Sequence, residues 1–182
     1  MEKVVRIVGG GLAGSEAAYQ LARRGVRVEL FEMRPRRMTE AHSSGDLGEL
    51  VCSNSLRSNS LSAPAGLLKE EMRKLDSLII RTAEVARVPA GSALAVDREI
   101  FARALTAAVE ALSGVTIIRR EVQEIPSGMV ILASGPLTSP ALAQAVATLL
   151  GQEYLYFYDA ISPIVTAESI DMDITFRASR YD

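Results

Sequence analysis

Residues 9–14 read Gly9-Gly10-Gly11-Leu12-Ala13-Gly14, a G-x-G-x-x-G spacing set directly between the β-branched run Val4 to Val8 and a stretch of helical periodicity. The spacing alone is a weak signal. Between a strand and a helix it marks the phosphate-binding turn of a dinucleotide-binding βαβ unit. Gly9 permits the tight turn, Gly11 lets the backbone approach a pyrophosphate, and Gly14 lets the helix pack close to the sheet. The helix N-terminus adds unpaired N–H groups and the positive end of its dipole, and Gly10, Leu12 and Ala13 complete the candidate turn. The helix should run from Leu12 to Arg24, with Ala13, Ala17, Ala18, Leu21 and Ala22 at helical spacing and Gly25 as the left-handed residue that ends it. Val26 to Phe31 reads as the second strand. Glu32 then stands at its end, where a carboxylate suits both hydroxyls of an adenosine ribose and repels a 2′-phosphate. This favours FAD or NAD over NADP, although Arg34, Arg36 and Arg37 follow closely enough to soften the repulsion.

The rest of the chain supplies the remaining elements. Met33 to Gly66 is rich in Ser, Asn and Gly yet carries Leu47, Leu50, Val51, Leu56 and Leu61. That pattern suggests loop with buried anchors rather than a flexible linker. Within it Ser53-Asn54-Ser55-Leu56 recurs as Ser58-Asn59-Ser60-Leu61, too few copies for a repeat architecture. Leu68, Met72, Leu75 and Ile79 predict one face of a second helix packed on the core, with Glu70 and Lys74 paired outside. Asp97 is a good N-cap for a helix burying Phe101, Leu105, Ala108 and Leu112, stopped by Ser113-Gly114. Val115 to Arg119 and Glu121 to Ile125 read as strands or one kinked strand, Met129 to Ala133 as a buried strand, and Ser139-Pro140 as the start of a helix ending at Gly151. Tyr154 to Val165 should be extended, and the closing residues show no completed element, so the chain reads as cut short.

Composition narrows the function. With 20 Lys and Arg against 22 Asp and Glu, the 182 residues carry a formal charge of -2, so contact with nucleic acid must be local. A single cysteine, Cys52, excludes an intrachain disulfide and a Cys-rich metal framework, and no metal site is expected. No apolar run approaches the ~20 residues that span a bilayer. A cytoplasmic protein without a membrane partner is expected.

FAD and NAD share the first βαβ unit, and later segments favour FAD. Val96-Asp97-Arg98 at a helix start would set the Arg98 cation near a pyrophosphate, and Val130-Ile131-Leu132-Ala133-Ser134-Gly135 resembles the strand-to-glycine segment of two-dinucleotide-type flavoproteins. That resemblance implies contact through Ala133 and Gly135, and a backbone contact to adenine from the residue after the third strand, here Val122. The simpler readings, a helix cap for Asp97 and a solvated helix start for Arg98, remain open. Leu50-Val51-Cys52-Ser53-Asn54-Ser55-Leu56-Arg57-Ser58 places the lone thiol among hydroxyl, amide and guanidinium groups that suit a flavin edge or a thiolate. Ser53 and Asn54 are therefore candidate flavin contacts. His42, the only histidine, is more often structural than catalytic in such a setting.

These segments together are similar to the N-terminal portion of the bacterial folate- and FAD-dependent tRNA uracil-5-methyltransferases. The resemblance covers essentially the whole chain. It rests on the glycine turn, Phe31-Glu32-Met33-Arg34-Pro35, Ala41-His42, Glu49 to Leu56, Val88-Pro89-Ala90-Gly91, Val96-Asp97-Arg98, Tyr158 to Val165 and Ser179-Arg180-Tyr181-Asp182. It implies an α/β fold of the two-dinucleotide FAD-binding Rossmann type, a parallel sheet with flanking helices, followed by the start of an inserted substrate domain. Residues 1–150 would form the FAD-binding domain with the Cys52 loop, and residues 151–182 the start of a truncated substrate and tRNA domain. Met33 and Arg34 would join the cofactor contacts, and Cys52 would be a catalytic thiol. The implied reaction moves a one-carbon unit from 5,10-methylenetetrahydrofolate to C5 of the T-loop uridine of tRNA, with FAD reduced by NADH or NADPH and the base turned out of its stack. The family pairs two cysteines, and this sequence supplies one. A related FAD- and folate-dependent enzyme of the tRNA wobble uridine, and an FAD-binding module without turnover, are the alternatives.

Overall fold

The computed structural model describes residues 4–152 and 167–175. The segment Tyr154 to Val165, expected to be extended, lies outside the described residues, as does Ser179 to Asp182. β1 (Val4–Val8) leads through the glycine turn into α1 (Leu12–Ala22) and then β2 (Arg27–Glu32). β1 and β2 pair in parallel from Val4↔Arg27 to Val8↔Phe31, which requires a crossover connection, here α1. Gly25, at φ +73, makes the left-handed turn that returns the chain to the sheet.

The chain next leaves this sheet and builds a smaller one. β3 (Ser55–Ser58) is followed by α2 (Pro64–Lys74), α3 (Leu78–Val85), β4 (Arg87–Val88) and β5 (Ala93–Val96), and β5 lies between β3 and β4 in antiparallel pairing. α4 (Arg98–Glu110) starts at the Asp97 cap, whose carboxylate accepts from the Ile100 N–H at 2.9 Å. β6 (Val115–Arg119) and β7 (Met129–Leu132) then return to the first sheet, and α5 (Pro140–Leu150) runs from the Ser139 cap to Gly151 at φ +64. The first sheet is parallel, in the order β6-β2-β1-β7. The expected α/β class, a parallel sheet with flanking helices, is the one observed.

The core joins the two sheets. Val5 and Ile7 of β1, Val28 and Leu30 of β2, Ala18 of α1, Leu78 of α3, Leu94 and Val96 of β5, and Phe101 and Leu105 of α4 form one buried cluster. Leu47 is fully buried within it, which makes the long loop after β2 part of the core rather than a tether.

Several expectations are corrected. The 68–79 stripe is not one buried helical face. Asp76, at φ +55, ends α2, and Ser77 caps a separate α3 by accepting from the Ile80 N–H at 3.3 Å. Leu68 and Leu75 are exposed because α2 packs through Gly66, where a Cβ would lie 1.9 Å from the Ser60 carbonyl oxygen. Glu70 reaches Arg73 rather than Lys74 as its ion-pair partner. Leu61 is exposed and anchors nothing, and Leu56 belongs to the unexpected strand β3. Glu121 to Ile125 is irregular backbone, not strand. β7 forms where expected, but Met129, Ile131 and Leu132 are exposed, because among the described residues it is the sheet's edge.

Candidate functional site

The order β6-β2-β1-β7 contains a reversal of direction: the chain builds outward from β1 to β2 and β6, then crosses to the far side of β1 for β7. β1 and β7 meet where that direction reverses, and open parallel sheets bind ligands at such a point, in the crevice at the carboxyl ends of their strands. A cleft of about 270 Å³ lies there. Its wall is drawn from the end of every strand of the sheet: Gly9 to Ala13 after β1, Glu32 to Arg34 at and beyond the end of β2, Arg120 to Val122 after β6, and Ala133 to Ser139 after β7.

The glycines are required for distinct reasons. Gly9 has φ +107, and a Cβ there would sit 2.5 Å from the Ala133 carbonyl oxygen. A Cβ on Gly10 would meet Leu47 at 2.5 Å and Glu32 Oε2 at 2.9 Å. A Cβ on Gly14 would lie 1.8 Å from the Gly9 carbonyl oxygen, so helix and turn touch backbone to backbone. Gly11 differs. Its backbone, φ -72 and ψ -167, is open to any residue, and a Cβ would meet nothing within 4 Å. Only a ligand in the cleft would give that position a steric reason to be glycine. α1 begins at the next residue, so its first-turn N–H groups adjoin the same space.

Glu32 is buried and heavily bonded. Its Oε2 accepts from the Gly10 N–H at 2.9 Å and from Arg34 Nη2 at 3.4 Å, and its Oε1 accepts from the Arg34 N–H at 3.0 Å and Nε at 3.1 Å. Burial opposes ionisation, but the bonds and charge of Arg34 and the Gly10 N–H outweigh it and lower the pKa below the usual carboxylate range. Arg34 donates onward to Glu49 Oε2 at 3.0 Å and to the Ser44 carbonyl at 3.2 Å. Burial also opposes the charge on Glu49, yet the N–H and hydroxyl groups of Ser43 and Ser44 hold its pKa down to about 2. The carboxylate at the end of β2 is thus fixed as an anion and tied to a loop ten or more residues away.

Of the residues singled out from sequence, the cleft gathers Gly9, Gly10, Gly11, Leu12, Ala13, Glu32, Met33, Arg34, Val122, Ala133 and Gly135. Gly14 stands behind the turn. Cys52 is exposed and does not line the cleft, but its neighbour Val51 does. Ser53 accepts from the Ser55 N–H at 3.0 Å, and Asn54 donates to the Val96 carbonyl at 3.2 Å, so both side chains shape the loop. Arg98 lines a separate cleft, beside Ser43, Glu49 and Arg103, and Val51 is common to both.

Sequence reasoning passed over Arg120, Glu121, Ser134 and the run Pro136 to Ser139 as cleft residues. Arg120 lies over the Phe31 ring, 5.5 Å from its centroid, and Glu121 pairs with Arg37. Thr138 Oγ1 donates to the Gly135 carbonyl at 2.6 Å and shares a hydrogen bond of 2.7 Å with the Ser134 hydroxyl, closing the loop after β7. The available signal was positional, since residues just past a parallel strand's carboxyl end face the crevice. His42 lines the cleft with Nδ1 2.6 Å from Thr39 Oγ1; burial, then the Arg34 charge, lower its pKa against the opposing pull of Glu49 and Glu32.

The family model described as glucose inhibited division protein A matches residues 4–182. A methylenetetrahydrofolate--tRNA-(uracil-5-)-methyltransferase TrmFO of Moorella thermoacetica is 63% identical over 182 residues, covering 100% of this chain and 42% of its own length. The protein of the same name from Staphylococcus carnosus is 57% identical over 181 residues with the same coverage. This chain therefore spans about 42% of the length of these curated relatives. Among solved structures, the GidA-related protein from Thermus thermophilus aligns with a TM-score of 0.41 at 19% identity, covering 75% of this chain and 54% of that one. The chain belongs to the glucose inhibited division protein A family.

Proposed function

We propose that the cleft holds FAD and that the chain is the cofactor-binding part of an enzyme that passes a one-carbon unit from 5,10-methylenetetrahydrofolate to C5 of the T-loop uridine of tRNA. The carrying observation is Gly11: a glycine with ordinary φ and open space around it, at a helix start facing a crevice of parallel strands. The high-identity relatives carry the name of that methyltransferase, which favours it over a wobble-uridine enzyme.

In this reading the backbone of Gly9 to Gly14 and the first turn of α1 hold the pyrophosphate. Glu32 orients the adenosine ribose, with Met33, Arg34 and the Val122 backbone around the adenine. Four protein donors already occupy the Glu32 carboxylate, and the 3.4 Å contact from Arg34 Nη2 is the weakest of them. A ribose hydroxyl would take its place. Ala133 and Gly135 close the opposite wall. Bound FAD, reduced by NADH or NADPH, would supply the electrons of the methylation. Ser53, Asn54 and Arg98 stand outside the cleft: Ser53 and Asn54 hold the Cys52 loop in shape, and Arg98 lines the neighbouring cleft. Cys52, exposed at the side of the cleft, would act on the uracil once that base leaves its stack.

Cys52→Ala tests the assignment of roles. Flavin content should be unchanged while methyl transfer to tRNA lacking the T-loop methyl group is lost. Full activity of Cys52→Ala would reduce the thiol to a surface residue, and absence of flavin from the wild-type protein would remove the reading altogether.

A further inference from the structure

Arg57 lies in β3, five residues after Cys52, at φ +68, a left-handed conformation that glycine adopts freely and arginine only under strain. The surrounding frame imposes it. The Arg57 N–H donates to Ser55 Oγ at 3.1 Å, the Ser55 N–H to Ser53 Oγ at 3.0 Å, and the Ser60 N–H to Ser58 Oγ at 3.2 Å. Asn54 and Asn59 fasten the ends of this segment to the β5 side through the Val96 and Ser92 backbone. The serines and asparagines of the doubled Ser-Asn-Ser-Leu segment are thus the frame, and Arg57 is what the frame presents. Its side chain is exposed, and its guanidinium makes no hydrogen bond or ion pair among the described residues.

A second cation stands behind it. Lys69 is 5% exposed and donates to the Ser58 carbonyl at 2.8 Å and the Ala65 carbonyl at 2.9 Å, with no carboxylate against it among the described residues. Burial, then the charges of Arg73 and Arg57, press its pKa downward. Arg73 is offset by Glu70 and Glu84, whereas Arg57 and Lys69 are not. A chain with net charge -2 therefore keeps two uncompensated positive charges together, one of them on a strained backbone five residues after Cys52. An exposed, planar guanidinium with a field behind it suits a phosphate oxyanion, which it can hold through paired N–H donors.

We infer that Arg57, backed by Lys69, is a docking point for one backbone phosphate of the RNA whose base is presented on the Cys52 side. This rests on the reading of the protein as acting on tRNA. The full chain is titrated with a fluorescent T-loop hairpin RNA at several salt concentrations between about 50 and 200 mM. Arg57→Gly should weaken binding about 5- to 10-fold at low salt and reduce the slope of log K against log salt by about 0.7 to 0.9, the contribution of one phosphate contact. Its melting temperature should equal or exceed that of the wild type, since glycine relieves φ +68. Arg57→Lys should recover most of the affinity, Arg57→Gln should not, and Arg24→Ala, in the turn that follows α1, should bind as the wild type. Wild-type affinity and slope in both Arg57→Gly and Arg57→Gln would overturn the inference, as would a wild-type protein that ignores the hairpin. Flavin content separates the two readings. Bound flavin with Arg57-independent RNA binding removes only the docking point, and Arg57-dependent RNA binding without flavin leaves the docking point and removes the cofactor assignment.

Discussion

Single residues divide the glycine turn into fold and function. Gly14 and Gly11 share a motif, but a Cβ at Gly14 meets the Gly9 carbonyl oxygen at 1.8 Å and a Cβ at Gly11 meets nothing within 4 Å. Gly14→Ala should therefore destabilise the fold by about 2 kcal/mol or more, the cost of forcing backbone apart in a packed region. Gly11→Ala should leave the urea midpoint nearly unchanged. The Glu32–Arg34–Glu49 chain makes a separate prediction about acid. Both carboxylates have lower pKa values folded than unfolded, so their contribution is complete above the unfolded value of about 4.5 and is lost as pH falls towards the folded value, about 2 for Glu49. Stability measured by denaturant should decline across that window. Glu49→Gln should cost about 3 kcal/mol at neutral pH, because it leaves a buried arginine short of one partner, and the difference from wild type should vanish near pH 2.

At the scale of elements, β1, α1, β2, α4 and α5 were legible because each carries its own boundary signal: glycine at a left-handed stop, Asp97 or Ser139 at a cap, Pro140 in the first turn. What could not be read was which apolar face meets the core. The Leu68 and Leu75 stripe has helical spacing, but α2 docks through Gly66 and Lys69, a choice made by the chain at Ser58 to Ser60. Likewise β3 has no strand-like composition, and it exists because β5 offers it a partner. The expected consequence is asymmetric. Leu68→Lys and Leu75→Lys should each change stability by no more than about 0.5 kcal/mol. Phe101→Ala, in the fully buried face of α4, should cost about 4 kcal/mol. Asp97→Ala, which removes the cap of that helix, should cost about 1 kcal/mol. Thermal and denaturant melts of these variants check each value.

For the molecule as a whole, the site is a product of topology. The motif placed one wall of the crevice, and the remaining walls follow from the order β6-β2-β1-β7, which sequence reading did not derive. This is why Val122, Ala133 and Gly135 entered through a family resemblance, while Arg120, Glu121 and Thr138 emerged only once the strands were ordered. The same topology puts Cys52 at the side of the cleft rather than inside it, and gives the Cys52 loop its own frame of serine and asparagine bonds. The glycine turn and the Cys52 segment thus sit on separate supports. The measurement that bears most directly on the account is titration of the chain with FAD, followed by quenching of flavin fluorescence, in parallel for wild type and Gly11→Val. The account predicts one saturable site of micromolar or tighter affinity in the wild type and its loss in a Gly11→Val protein that melts like the wild type. No binding by the wild type, or equal binding by both, would contradict it.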